Sequence, residues 1–238
     1  MPYTTNTLLD SLAELERVAL KRLLTPLALK QHDILFDVRE GISTVYFPTS
    51  SVVSLIVPLA TGENVEFAMV GRDGAVGAAS VVNGKIATCR AIVQLAGGCL
   101  CCKAEDLKHF VTQHPAIASQ INGHEQTLMA QAQQSAACNI THNIENRLAR
   151  WLLRARDLSG SDELNLTQEY IADMLGVRRT SVSVVAHTLQ QAGMLRYRRG
   201  HIELLNIEAL KETACECYEA VKLNYDALTR SGNSQNNA

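Results

Sequence analysis

Three absences narrow the chain before any motif is read. No hydrophobic run approaches the roughly 20 residues of a membrane span, and no charged-then-apolar signal segment opens the sequence. A cytoplasmic chain without a membrane partner is expected. No cysteine precedes Cys89, and seven cysteines scattered over 238 residues without a secretory signal point to reduced thiols rather than a disulfide framework. Between Gly176 and Ile202 there is no Asp or Glu, although Arg178, Arg179, Arg196, Arg198 and Arg199 all fall there. In a chain of net charge −2 that window is a local positive footprint suited to phosphates.

Catalytic and metal patterns are missing too. There is no Gly-rich phosphate loop, nucleophile elbow or paired-carboxylate arrangement. A metal-dependent oxygenase or isomerase on a small β-roll would need convergent His and carboxylate ligands on strands. The strand-rich region offers His32 at its edge, with Glu66 and Asp73 isolated. His32, His109, His114, His124, His142, His187 and His201 show no ligand spacing with one another. Cys99 and Cys101 share one face of an apparent strand that also carries Cys102, where buried small hydrophobes are the default. Cys215-Glu216-Cys217 falls on the expected final helix, where the two thiols diverge by about 200° and make poor joint ligands. No catalytic residue and no metal ligand is therefore expected.

What is present begins with the segment Leu166 to Leu189, which reads as two short helices meeting at Gly176. Thr167 is a natural N-cap with Glu169 in the first turn, and Leu166 with Ile171 can form a hydrophobic staple. Ile171, Met174 and Leu175 make an apolar stripe, and Gly176 sits where a left-handed C-cap costs least. Val182, Val185, Ala186 and Leu189 make a second stripe, leaving Arg179, Thr180, Ser183, Val184 and His187 facing outward. This is the pattern of a helix-turn-helix that reads DNA. Behind it, Leu195-Arg196-Tyr197 and His201-Ile202-Glu203-Leu204 alternate about an Arg198-Arg199-Gly200 turn, predicting a hairpin wing.

The rest divides by texture. Leu8, Leu12, Leu15, Ala19 and Leu23 predict one or two short helices ending near Pro26. From about Ile34 to Cys102 the runs ILFDV, STVYF, SVVSLIV, NVEFAMV, RAIVQL and CLCC alternate with turns, predicting a β-sandwich or barrel. Helical composition returns from about Ala104 to Cys138, with no proline after Pro115. Ile117, Ile121, His124, Leu128, Gln131 and Ser135 recur at four- and three-residue steps. They are either a two-helix seam or the face of a helix packed on its own domain. A last helix is expected from Ile207 to about Leu228, then a disordered tail at residues 231–238.

These stretches carry a resemblance. VYFPTSSVVSLIV, VEFAMVGRDGAVG, IENRLARWLLRARD, the helix-turn-helix and RYRRGHIELLNIEAL occur in the order found in the cyclic-AMP-receptor/fumarate-nitrate-regulator (Crp-Fnr) superfamily of transcription regulators, which the chain resembles over nearly its whole length. The resemblance implies an α+β fold. An N-terminal β-roll sensor domain of cyclic-nucleotide-binding type (residues 1–110) would lead into a long dimerisation helix (111–138) and a C-terminal winged helix-turn-helix (139–230). It implies a homodimer binding a palindromic site in double-stranded DNA, and activation would add RNA polymerase as a partner. Arg179 would stand where the family reads a guanine. Thr180 replaces an acidic reader and Val184 a second arginine. Arg178, Ser181, Ser183, Arg196, Arg198 and Arg199 would bind phosphates, with Thr167, Gln168 and His187 completing the DNA-facing set.

The sensor departs from the family's pattern. Ala78 stands where nucleotide-binding members carry the acid of a Gly-Glu pair, and Arg90 falls two or three residues after the position of the phosphate arginine. A two-residue offset in a strand preserves the face and a three-residue offset reverses it. Gly77 and Arg90 are thus the remaining ligand-site candidates of a degenerate nucleotide-binding domain, and an unidentified effector other than cyclic AMP is expected. The alternative is a ligand- or redox-responsive module acting through a protein partner without specific DNA binding, which the arginines of the 176–202 window oppose.

Overall fold

The computed structural model describes residues 5–82 and 86–234. Helices α1 (Thr7–Asp10) and α2 (Glu14–Lys21) open the chain, followed by seven strands: β1 (Thr25–Leu29), β2 (Ile34–Phe36), β3 (Thr44–Pro48), β4 (Val52–Pro58), β5 (Asn64–Val70), β6 (Arg90–Leu95) and β7 (Gly97–Lys103). A short helix, α3 (Ala79–Val82), lies between β5 and β6. The six β-rich runs of the sequence are β2 to β7. They form two antiparallel sheets, ordered β1-β7-β3 and β2-β6-β4-β5, whose inner faces share one core of Leu29, Phe36, Val53, Leu55, Val70, Val93 and Cys99.

The opening segment differs from expectation. The helix stops at Lys21, and Pro26 lies within β1. That strand pairs only with β7, so a residue without an N–H is tolerated at this sheet edge. Leu15, assigned to the buried stripe, is 86% exposed, whereas Leu8, Leu12 and Leu20 enter the core.

Helix α4 (Ala104–Gln113) precedes the long helix α5 (Pro115–Thr141), which starts at a proline suited to a first helical turn. It therefore begins later and ends later than residues 111–138. Ile117, Ile121, His124, Gln131 and Ser135 are buried and Leu128 is half-buried, all within one protomer. His124 Nε2 lies 3.1 Å from the Ala75 amide and 2.9 Å from its carbonyl, and Gln131 Oε1 accepts from the Met69 amide at 3.3 Å. The stripe read as a candidate seam is thus the face that holds α5 on its own β-roll.

The C-terminal region comprises α6 (Ile144–Ser159), β8 (Glu163–Asn165), α7 (Gln168–Leu175), α8 (Arg179–Gln191), β9 (Leu195–Arg198), β10 (His201–Leu204), α9 (Ile207–Thr213) and α10 (Cys217–Ser234). The hairpin gains a third strand, in the order β8-β10-β9. The expected last helix is two, broken at residues 214–216, because Ala214 is extended (φ −66°, ψ 151°). Helix α10 packs back along α5. It also runs through residues 231–234 of the expected disordered tail, and residues 235–238 lie outside the described ones.

The two domains share a core. Val52, Ile56, Met69 and Leu95 of the β-roll pack with Trp151, Leu152, Ile171, Met174 and Leu189 of the helical region. Polar contacts cross the same boundary. Trp151 Nε1 donates to Glu66 Oε1 at 2.8 Å, and Arg154 Nη2 donates to Asp73 Oδ2 at 2.6 Å. Burial pushes the Glu66 carboxyl up to about 7, against hydrogen bonds from Ser54 and Trp151 that favour its charge.

Candidate nucleic-acid interface

Local chemistry sets the helix-turn-helix residue by residue. Thr167 caps α7 by accepting from the Tyr170 amide at 3.1 Å, and Leu166 and Ile171 are buried in one cluster as a staple requires. At the other end Gly176 adopts φ 62°, and the pairs Val177 N to Ala172 O (3.0 Å) and Gly176 N to Asp173 O (3.1 Å) close a Schellman cap. The buried Arg147 guanidinium donates to the Leu175 carbonyl, one of the orphan acceptors at the end of α7. The turn is rigid at both ends.

Helix α8 buries Val182, Ala186 and Leu189, with Val185 half-buried against the same core. The opposite face is bare. Arg178 at the N-cap, then Arg179, Thr180, Val184 and His187, are exposed, and Ser181 is half-exposed. Ser183 is occupied differently: its hydroxyl donates to Gln168 Oε1 at 2.6 Å, tying α8 to the start of α7. Thr167 is exposed and Gln168 half-exposed beside them, so the twelve predicted contact residues fall on these two helix starts, the α8 face and the wing.

The wing is tighter than the sequence suggested. Arg198 pairs with His201, so the loop is the two residues Arg199 (φ 46°) and Gly200 (φ 83°), both left-handed as a type I′ turn demands. Arg198 and Arg199 are exposed at its tip. Arg196 is not a free cation, because its Nη1 meets Glu203 Oε2 at 2.7 Å across the hairpin. Tyr197 anchors the wing to the reading helices: its hydroxyl accepts from the Gln168 amide at 3.0 Å and donates to the Leu166 carbonyl at 3.2 Å.

The second candidate site is a cavity of about 550 Å³ between the β-roll and α5. Gly77 lies in its wall, beside Phe36, Ile42, Val76, Leu128 and Met129. Arg90 does not line it. Its guanidinium forms a two-bond pair with Asp37, Nε to Oδ1 at 3.0 Å and Nη2 to Oδ2 at 2.6 Å. The arginine beside it holds the Asp37 carboxyl below the usual range. Among the described lining residues there is no cation, and the one carboxyl is that of Glu125, which burial pushes up.

Two cysteine expectations diverge. Cys99 and Cys102 are buried in separate cores, and burial pushes each thiol up to about 12, so neither is a ready thiolate. Cys215 and Cys217 do not diverge around a helix as the sequence predicts, because Cys215 lies in the break before α10. Both thiols gather with Cys138 and His142. The sequence signal passed over was the four-residue spacing of Cys138 and His142, which puts them on one side of the end of α5.

Residues 146–213 match the Crp-like helix-turn-helix domain. No curated protein matches the chain. Solved structures match over about four fifths of the chain. FixK2 from Bradyrhizobium japonicum is 17% identical with a TM-score of 0.68, over 81% of this chain and 98% of that one. A CRP-family transcriptional regulator from Thermus thermophilus, TTHB099, is 20% identical with a TM-score of 0.65, over 79% and 96%. The c-di-GMP-responsive regulator CLP of Xanthomonas campestris is 15% identical with a TM-score of 0.64, over 81% and 99%. The resemblance read from the sequence is borne out: the chain carries a Crp-like helix-turn-helix domain on the fold of solved Crp-Fnr regulators. Among the described residues no helix is long and apolar enough to cross a membrane.

Proposed function

We propose that this Crp-Fnr-type regulator reads a palindromic operator as a homodimer and answers to a signal other than a cyclic nucleotide. The observation that carries the reading is the exposed cationic surface of Arg178, Arg179, Arg198 and Arg199, with no ion pair among the described residues, set on a capped helix and a tight wing. Arg179 at the first turn of α8 can grip guanine O6 and N7 in the major groove. Val184, 67% exposed, can meet only a thymine methyl or the shape of the groove. Arg178, Arg198, Arg199 and Ser181 then bind phosphates, and DNA deformability carries part of the specificity.

Pairing of two chains uses the outer face of α5. Ser119, Asn122, Gln126, Met129, Gln133, Ala136 and Ile140 are all exposed and recur at three- and four-residue steps, the spacing of a two-helix seam. A two-fold axis there sets two copies of α8 against successive major-groove half-sites. The cavity supports a neutral, mainly apolar effector, because a cyclic phosphate would meet Glu125 and no cation among the described lining residues. No residue is assigned a catalytic role, and any contact with RNA polymerase would use a surface beyond the one described.

Selection of bound DNA from a random pool, with and without candidate ligands, tests the reading. It is expected to recover two inverted half-sites about one helical turn apart. Failure to enrich any sequence under all conditions would favour a module that acts through a protein partner.

A further inference from the structure

The end of α5 and the break between α9 and α10 bring four soft ligands to one point. Cys138 occupies the last turn of α5, and His142 is its C-cap residue. After α9 the chain runs extended through Ala214, so Cys215 and Cys217 approach together instead of diverging around a helix. Cys138 Sγ lies 3.5 Å from Cys215 Sγ, and Cys217 Sγ lies 3.6 Å from His142 Nδ1. All four ligand atoms lie within 4.8 Å of one another. A zinc tetrahedron with three sulfurs and one nitrogen requires sulfurs about 3.8 Å apart and sulfur about 3.6 Å from nitrogen. The spacing fits with small side-chain adjustments.

The surroundings are those of a built site. Cys138, Cys215 and Cys217 are buried and form a small core of their own, separate from the aliphatic clusters. Gln134 Nε2 donates to Cys217 Sγ at 3.0 Å. Glu216 Oε1 lies 3.2 Å from His142 Nε2, the nitrogen facing away from the cluster, so a carboxylate holds the imidazole with Nδ1 toward the thiols, where it would exchange a 3.3 Å contact with Thr141 Oγ1 for the metal. Three thiolates, a neutral imidazole and a divalent ion leave one net negative charge. Arg150 and Arg147 lie near enough to Cys138 to offset it. The half-exposed His142 leaves a path of entry.

We propose that Cys138, His142, Cys215 and Cys217 bind one thiophilic divalent ion of the zinc class, in a closed Cys3His tetrahedron. Thiolates and imidazole select such an ion over magnesium or calcium, and four protein ligands leave no open position for catalysis. The ligands bracket the whole DNA-binding domain, since residues 143–214 form the loop that the metal closes. The ion therefore fixes the angle at which that domain leaves α5. That consequence for DNA rests on the reading above, whereas metal binding itself does not.

The test uses the full chain, reduced and stripped by chelator, and needs no DNA. Titration with Co(II) is expected to give thiolate charge-transfer absorption and the intense visible bands of a tetrahedral centre. Saturation falls at one equivalent per chain, Zn(II) bleaches the spectrum, and Zn(II) raises the melting temperature. His142→Ala, which alters the most exposed ligand, is expected to shift the spectrum and weaken uptake on the order of 10-fold or more. Cys217→Ser abolishes the three-thiolate spectrum, and Cys101→Ser, outside the cluster, changes nothing. Should a buried variant fail to fold, the wild-type titration and His142→Ala still decide. No stoichiometric uptake by the reduced wild type, an octahedral spectrum, or uptake unchanged by His142→Ala would each overturn the proposal. So would a Cys138–Cys215 disulfide whose reduced form takes up no metal.

Discussion

Two arginines that the sequence assigns to ligands, Arg179 to a guanine and Arg90 to a phosphate, stand in opposite circumstances. Arg179 stands exposed on the open face of α8, in a window without acids, while Arg90 is held by Asp37 outside the cavity. A cation serves a ligand only when nothing in its own chain has already claimed it. The same rule separates the wing arginines, for Arg196 is held by Glu203 while Arg198 and Arg199 are exposed. One region of the molecule presents exposed cations and the other encloses a mainly apolar cavity, and Glu66 lies in the joint between them.

Breaking the joint should give the largest effect. Glu66 is half-buried with its Oε2 shut away from solvent, and its carboxyl is pushed from 4.5 to about 7. The folded state binds that proton more tightly than the unfolded chain does. Its contribution is full below pH 4.5 and is lost as pH rises through about 7. Denaturant unfolding of Glu66→Gln against wild type at pH 5 and pH 8 should therefore show the variant losing less stability, by up to about 3 kcal/mol. Equal losses in both proteins would remove Glu66 from the account.

On the reading side, Arg179→Ala should cost on the order of 1–3 kcal/mol in operator binding and relax specificity at one position per half-site. A titration against operator variants showing equal loss on every sequence would make Arg179 a phosphate contact instead. The free and claimed wing arginines then part company. Arg199→Ala should lower the magnitude of the salt slope of binding by about one per half-site, and Arg196→Ala by less, because Glu203 already neutralises it. Cyclic AMP should have the smallest effect of all, leaving operator affinity unchanged in a gel-shift assay. A clear gain on adding it would return Arg90 to the cavity.

Much of this was legible in the sequence because local chemistry sets it. The six β-rich runs, the Thr167 cap, the Gly176 cap and the wing follow from short-range preferences that tertiary packing did not override. What escaped depended on partners distant in sequence. A helix-period stripe does not say which neighbour it meets, so the α5 face read as a candidate dimer seam proved to hold the β-roll. Pro26 was read as a helix end because β7, which accepts it as an edge, lies about 75 residues away. The break at Ala214 carries neither Gly nor Pro, so nothing local announced it, and with it the gathering of four ligands was hidden.

The most direct test of the central claim is hydrogen exchange of the full chain with and without the selected operator. Protection is predicted at residues 167–168, 178–187 and 196–201, with residues 75–82 and 86–90 around the cavity unchanged. Protection confined to the β-roll, or absent from α8 and the wing, would contradict it.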